Sequence, residues 1–187
     1  LPDEPRVLAA CGRIYLAKRE YDEAIVHFSQ ALAQDQNNPD FLVNLGKAYE
    51  GMNDLNAALE LAESVAQRFP HNEDAHYLIA KIMSQKREHG KALDAIQEGL
   101  AHNPQSAQLN YIAGHEYAAL GQFQKAITAY TAALESDGDS FIEAYRHIGN
   151  IYYNHLNDNG NAKDNYRKYI KAGGENVEAR QILNKIE

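Results

Sequence analysis

Cys11 is the only cysteine in the chain. One thiol cannot form an internal disulfide or build a thiolate metal site. It falls on an apolar helix face and reads as a small buried hydrophobe. No apolar run approaches the ~18 residues of a membrane-spanning helix, which argues against direct membrane insertion. No basic-then-apolar leader opens the chain. The first residue is Leu1 rather than Met, which points to a piece of something longer or to a processed form. The missing leader therefore leaves the compartment open. The cytoplasm is favoured and the periplasm is the alternative. Positive charge is also scarce: 18 Lys and Arg stand against 26 Asp and Glu, for a formal net charge of −8. Nucleic-acid binding needs a dense basic stripe, so nucleic acid is not expected as a partner.

Catalytic signatures are missing as well. His115-Glu116 has no second histidine four residues after the first, so the zincin pattern fails. His71 and His76 are five apart across an expected loop and helix start, a poor metal spacing. The glycines form no phosphate-binding loop, and Ser29, Ser64 and Ser84 lie in helical runs without a nucleophile elbow. No catalytic residue, metal site or cofactor is expected.

What the chain does have is a spacing. Gly12, Gly46, Gly114 and Gly149 each precede a tyrosine by three residues: Tyr15, Tyr49, Tyr117 and Tyr152. Gly12 and Gly46 are 34 apart, Gly46 and Gly114 are 68 apart, and Ala80 fills the slot between them. Gly149 follows Gly114 by 35. Such a period makes the chain a stack of like units, each too small to fold alone. The expected units are 5–38, 39–72, 73–106, 107–141 and 142–175, with a closing helix over 176–187, as one array over 1–187.

Each unit reads as two helices and a tight turn. In the second, Leu42, Leu45, Gly46 and Tyr49 fall on one helical face. Asn38 suits an N-cap and Pro39 the first helical position. Met52-Asn53-Asp54 makes the turn, and Ala58, Leu61, Ala62 and Val65 mark the inner face of the second helix. Counting each unit's first residue as slot one, and passing over the one residue that 155–161 adds to the unit-five turn, glycine at slot eight and alanine at slot twenty lie where helix backbones must approach closely. Glycine in mid-helix costs roughly 0.5–1 kcal/mol against alanine. Its recurrence in four units therefore has a steric reason.

This spacing resembles the tetratricopeptide repeat family, from about residue 5 to 174. Unit three departs, with Ala80 and Met83 in place of glycine and tyrosine. The tryptophan or leucine usual at slot four is Leu8 and Leu42, then His76, Asn110 and Tyr145. The proline of slot thirty-two remains as Pro70 and Pro104 and is lost as Gln36, Gly138 and Gly174. The resemblance implies an all-α, right-handed α-solenoid of helix-turn-helix repeats. It also implies a noncatalytic protein-protein interaction role, as an adaptor or assembly scaffold. Alternatives are a self-assembling structural domain and the targeting domain of a larger enzyme.

In that family, slots two, five, six, nine and twelve of the first helices look into a concave groove. Slot nine here reads Arg13, Lys47, Lys81, His115 and Asn150, a basic or polar ladder on an acidic protein. Slot five reads Ala9, Val43, Tyr77, Tyr111 and Arg146, and slot six Ala10, Asn44, Leu78, Ile112 and His147. The expected peptide-binding set is Lys47, Tyr77, Leu78, Lys81, Tyr111, Ile112, His115, Arg146 and Asn150. An apolar patch rimmed by cations suits a peptide with apolar anchors and a carboxylate. Lys47 with Glu50, and Arg146 with Glu143, are spaced for local pairing. Lys81 reads as the most available cation, and Leu78 and Ile112 read equally as packing residues. Ala9 and Leu78 occupy positions where some family members carry cations that clamp a C-terminal carboxylate, so no such clamp is expected. The expected partner is a protein or peptide segment, with homo-oligomerisation open.

Overall fold

The computed structural model describes residues 4–186, so Leu1, Pro2, Asp3 and Glu187, the ends of the expected array and closing helix, lie outside the described residues. Every element found among the described residues is an α-helix: α1 (Pro5–Lys18), α2 (Tyr21–Gln34), α3 (Pro39–Gly51), α4 (Leu55–Arg68), α5 (Glu73–Gln85), α6 (His89–His102), α7 (Ala107–Ala119), α8 (Phe123–Asp137), α9 (Glu143–Asn154), α10 (Asn159–Lys171) and α11 (Val177–Ile186). The fold class is an all-α solenoid of helix-turn-helix repeats. The chain falls into two compact units divided after His102. In the first, each helix of α1–α6 packs on the next, and the odd helices lie side by side. In the second, α7 to α11 pack in the same sequential way.

Local chemistry sets the helix ends. Asn38, Asn72 and Ser106 recur 34 residues apart as N-caps of α3, α5 and α7. Each side-chain oxygen accepts from an otherwise orphan backbone N–H of the first turn, at 3.1 Å for Asp40 N, 2.9 Å for Ala75 N and 3.0 Å for Leu109 N. Inside each repeat the turn is closed by one residue in the left-handed region: Arg19, Asn53, Arg87, Gly121 and Asn157. Only one of the five is the glycine that this conformation favours.

The slot-eight glycines have the expected steric origin, and the structure supplies the partner. A Cβ built on Gly12 would stand 2.8 Å from the Phe28 ring, and one on Gly149 would stand 2.9 Å from the Tyr166 ring. Phe28, Tyr130 and Tyr166 share slot twenty-four. Where that slot is aromatic, the facing slot eight is glycine. In unit three slot twenty-four is Ile96, and Ala80 is accommodated and fully buried. Gly46 faces Leu78 of the next repeat instead, at 2.9 Å.

The departures at slot four also find a reason. His76 Nε2 lies 2.9 Å from the Pro70 carbonyl, and Asn110 Nδ2 donates to the Pro104 carbonyl at 3.3 Å and to that of Ser106 at 2.9 Å. A polar slot four thus follows the two repeats that keep the slot-thirty-two proline, and it ties down that proline's carbonyl. His76 is spent on this contact. His71 instead meets His102 edge-on, with ring centroids 4.4 Å apart. Cys11 is a free thiol and only half-buried, because it sits at the border of the α1 packing stripe rather than in it.

Candidate functional site

Lys47, Tyr77, Leu78 and Lys81 gather on one concavity of the first unit. It is a cleft of ≈ 280 Å³ also lined by Leu16, Ala17, Arg19, Tyr21, Glu50 and Gly51. The odd helices bring these residues together because α3 lies against α1 and α5. Slots nine and twelve of one helix therefore face the neighbouring repeat.

The charges pair differently from their sequence spacing. Lys47 reaches across to Asp74 of α5 at 3.0 Å, not to Glu50 on its own helix. Lys81 of α5 reaches back to Glu50 of α3 at 2.9 Å, and Gln85 donates to the same carboxylate. The pairs cross between α3 and α5. Lys81 is thus engaged rather than the freest cation of the ladder, since its nearest carboxylate lies on the adjacent repeat. Its side chain keeps 41% exposure, so the ammonium still meets solvent. Leu78 is 1% exposed and fills the space beside Gly46. It forms the wall beneath the cleft.

In the second unit the same slots form a ring cluster where α7, α8 and α9 pack. Tyr111 meets His115 edge-on at 4.8 Å and Phe141 at a tilt, 5.1 Å between centroids. His115 meets His147 at 4.6 Å, and His147 stacks on Tyr130 at 5.3 Å with planes 12° apart. Burial pushes the Tyr130 hydroxyl well above the ordinary phenol range. Burial also lowers His115, with Arg146 adding to the effect and Glu116 opposing it. His147 falls to about 4, through burial first and then the neighbouring His115 and Arg146. Both imidazoles are therefore neutral at pH 7. They offer flat apolar faces and ring nitrogens rather than positive charge.

Arg146 pairs with Glu143 at 2.6 Å, the local pairing that their spacing suggests. Burial alone would raise the Glu143 carboxyl, but hydrogen bonds from Arg146 and from the Tyr169 hydroxyl, the latter at 2.8 Å, outweigh it and hold the group below its usual range. Asn150 accepts from the Tyr166 hydroxyl at 2.7 Å. Burial, chiefly, pushes that phenol up to about 12. Ile112 is 9% exposed and serves the packing. Phe141, Glu143, His147 and Tyr169 join this cluster without having been named as contact residues. For His147 the signal was present at slot six, beside Ile112 and Leu78 in the repeat register.

Among the described residues no group of three or more His, Cys, Asp or Glu side chains is placed to hold a metal ion. No helix there is long and apolar enough to cross a membrane.

Family models described as tetratricopeptide repeat match residues 15–82, 50–115 and 107–140. Among solved structures, "Crystal structure of MamA" is 28% identical, covers 87% of this chain and 94% of its own, and superposes with a TM-score of 0.73. A thermophilic TPR protein of Thermus thermophilus gives a TM-score of 0.77 at 20% identity over 97% of this chain and 98% of its own. Among curated proteins, anaphase-promoting complex subunit 3 of Schizosaccharomyces pombe is 25% identical over 127 residues, which is 68% of this chain and 19% of that protein. The matched stretches amount to between 11% and 19% of the curated relatives.

Proposed function

Because the chain belongs to the tetratricopeptide repeat family, whose members are protein-interaction scaffolds, we propose that it is a noncatalytic adaptor that holds a peptide segment against the first helices of its repeats. The observation that carries the reading is the first-unit cleft. Tyr77 flanks it over the Leu78 wall, and the crossed pairs Lys47–Asp74 and Lys81–Glu50 edge it. An aromatic beside paired cations fits a ligand with an apolar anchor and a carboxylate. Lys81 has donors beyond the one given to Glu50, so an incoming carboxylate shares the ammonium rather than having to displace its partner. In the second unit, Tyr111, His115, Arg146 and Asn150 offer a mainly aromatic surface, which suits apolar ligand side chains better than anionic ones. A polypeptide is favoured over nucleic acid, because the net charge of −8 repels a polyanion.

A linear ligand on such a surface binds at about micromolar strength. The test is capture of binding partners by the wild-type chain, followed by titration of the captured segment against Tyr77→Ala, Lys81→Glu and Tyr111→Ala. We expect a segment held by the first-unit cleft to lose roughly tenfold in affinity, equivalent to ~1.4 kcal/mol, with Tyr77→Ala and Lys81→Glu, and one held by the second-unit cluster to lose as much with Tyr111→Ala, each measured at a temperature where circular dichroism shows the variant folded. Unchanged affinity in all three removes this face from the function.

A further inference from the structure

A second groove opens on the other flank of the first unit. Helices α4 and α6 each pack on α5, and between them lies a space of ≈ 410 Å³. Glu63 of α4 and Asp94 and Glu98 of α6 stand along its walls, and Ile79 and Met83 of α5 form its floor. Small apolar side chains, Ala66 and Ala95, complete the inner walls. Turning about the axis by 100° per residue, Ile79 and Met83 lie on the side of α5 opposite Tyr77, Leu78 and Lys81. The groove is therefore separate from the cleft. It lies inside the array, with a described helix on each side of it.

A departure from the repeat accounts for the opening. Slot eleven is tyrosine in the other four units. Tyr49 packs on both the core cluster that holds the α2 residues and the one that holds those of α4. Tyr152 joins the clusters of α8 and α10 in the same way. In unit three the slot holds Met83, which has no ring to fill the matching space. A thioether side chain is also adaptable and re-packs around a visitor. The rim is acidic and unspent. Glu63, Asp94 and Glu98 are exposed, and their carboxylates have no ion-pair partner among the described residues. Lys91 is the one cation lining the groove, and it pairs with Glu88 at 2.5 Å.

We propose that this groove docks an arginine-bearing segment of another polypeptide, with the aliphatic stem of an arginine laid over Ile79 and Met83 and its guanidinium set between Glu63 and the Asp94 and Glu98 carboxylates. Long cationic side chains bury their methylenes on apolar surface while the charged head stays in water, so one side chain answers both the floor and the rim. The planar guanidinium also matches carboxylates in a fork geometry that lysine lacks. An acidic segment would be repelled by the rim, and a purely apolar one would leave the three carboxylates unpaired. The inference goes beyond the cleft reading and does not depend on it, since the cleft offers paired cations to a carboxylate.

The test uses the full 187-residue chain and two labelled peptides of repeated Arg-Leu-Ala. In one of them citrulline, neutral and of the same shape, replaces every arginine. Binding is followed by fluorescence anisotropy, at a temperature where circular dichroism shows each variant folded. We expect the arginine peptide to bind roughly tenfold more tightly than its twin. Met83→Tyr restores the repeat's own residue and should weaken binding roughly tenfold while every carboxylate stays in place, which general attraction to an acidic chain would not do. Glu63→Lys/Glu98→Lys should weaken it at least as much. Glu23→Lys/Glu135→Lys changes the net charge equally at exposed positions outside the groove and should retain full binding. If Met83→Tyr does not fold, the two surface pairs carry the test by themselves. Tyr77→Ala should leave the affinity unmoved, which separates this groove from the cleft. The proposal is overturned by equal binding of the two peptides, by full binding to a folded Met83→Tyr, by equal losses in the two charge pairs, by loss of binding in Tyr77→Ala, or by self-association of the chain that Glu63→Lys/Glu98→Lys dissolves.

Discussion

Gly114 and Tyr130 face each other so closely that a Cβ built on the glycine would stand 2.5 Å from the ring carbons. Tyr130 is 1% exposed and boxed in by Tyr111, His115 and His147, so the ring cannot retreat. Gly114→Ala should therefore destabilise the second unit by about 1–3 kcal/mol, despite alanine's better helix propensity. Gly90→Ala is the control, because nothing lies within 4 Å of a Cβ there. It should be neutral, or stabilising by up to ~1 kcal/mol. Urea melts of the two variants separate sterics from propensity.

Arg87 closes its turn at φ 60°, where any Cβ is crowded against the following carbonyl. Arg87→Gly should relieve that strain, and the greater freedom of glycine in the unfolded chain offsets part of the gain. A net stabilisation of up to ~1 kcal/mol is expected. Gly121→Ala at the matching position, φ 70°, should lose about 1 kcal/mol. Opposite shifts in the thermal midpoint are the measurement. Shifts of the same sign would remove backbone strain as the cause.

The histidine pair makes stability pH-dependent. His147 titrates at about 4 in the folded chain and near ~6.5 when unfolded. Between those values the unfolded chain binds the extra proton, so stability falls as pH drops from ~6.5 towards 4 and loses nothing more through this group below it. His115 is lowered too and acts in the same direction. His147→Phe keeps a ring against Tyr130 and should flatten the fall between pH 7 and 5. Urea midpoints at pH 7.5, 6 and 5 read the slope. An equal slope in the variant would assign it to other groups.

Tyr166 is fully buried, and its hydroxyl donates to Asn150 at 2.7 Å. Tyr166→Phe preserves the packing beside Gly149 and should cost about 0.5–1.5 kcal/mol. In the double-mutant cycle with Asn150→Ala, a coupling energy near zero would show that the bond contributes nothing.

The repeat was legible because packing writes itself into spacing. Small residues at slots eight and twenty and caps at slot thirty-four recur every 34 residues, since each helix pair meets its neighbours in the same way. Asn38, Pro39 and the Met52-Asn53-Asp54 turn appear in the structure where the sequence puts them. The departures were visible but not explicable from the chain alone. That His76 and Asn110 hold the carbonyls of Pro70 and Pro104 depends on a loop folding back over the next helix.

The candidate site was legible only as a set of positions. Helical spacing placed Lys47 within reach of Glu50, yet Lys47 chose Asp74. Residues three apart on one helix are visible in a sequence, whereas the flank of a neighbouring helix is not. Leu78 and Ile112 looked equally suited to surface and interior, and burial put both inside.

The amino-acid order by itself determined the period, the helix pairs, the family and the small residues at the helix contacts, because each follows from packing repeated at a fixed separation. Only the tertiary structure decided which carboxylate each lysine takes and that two histidines share a buried cluster. Those depend on distances between side chains far apart in the chain, which helical periodicity leaves undefined until neighbouring helices are set in place.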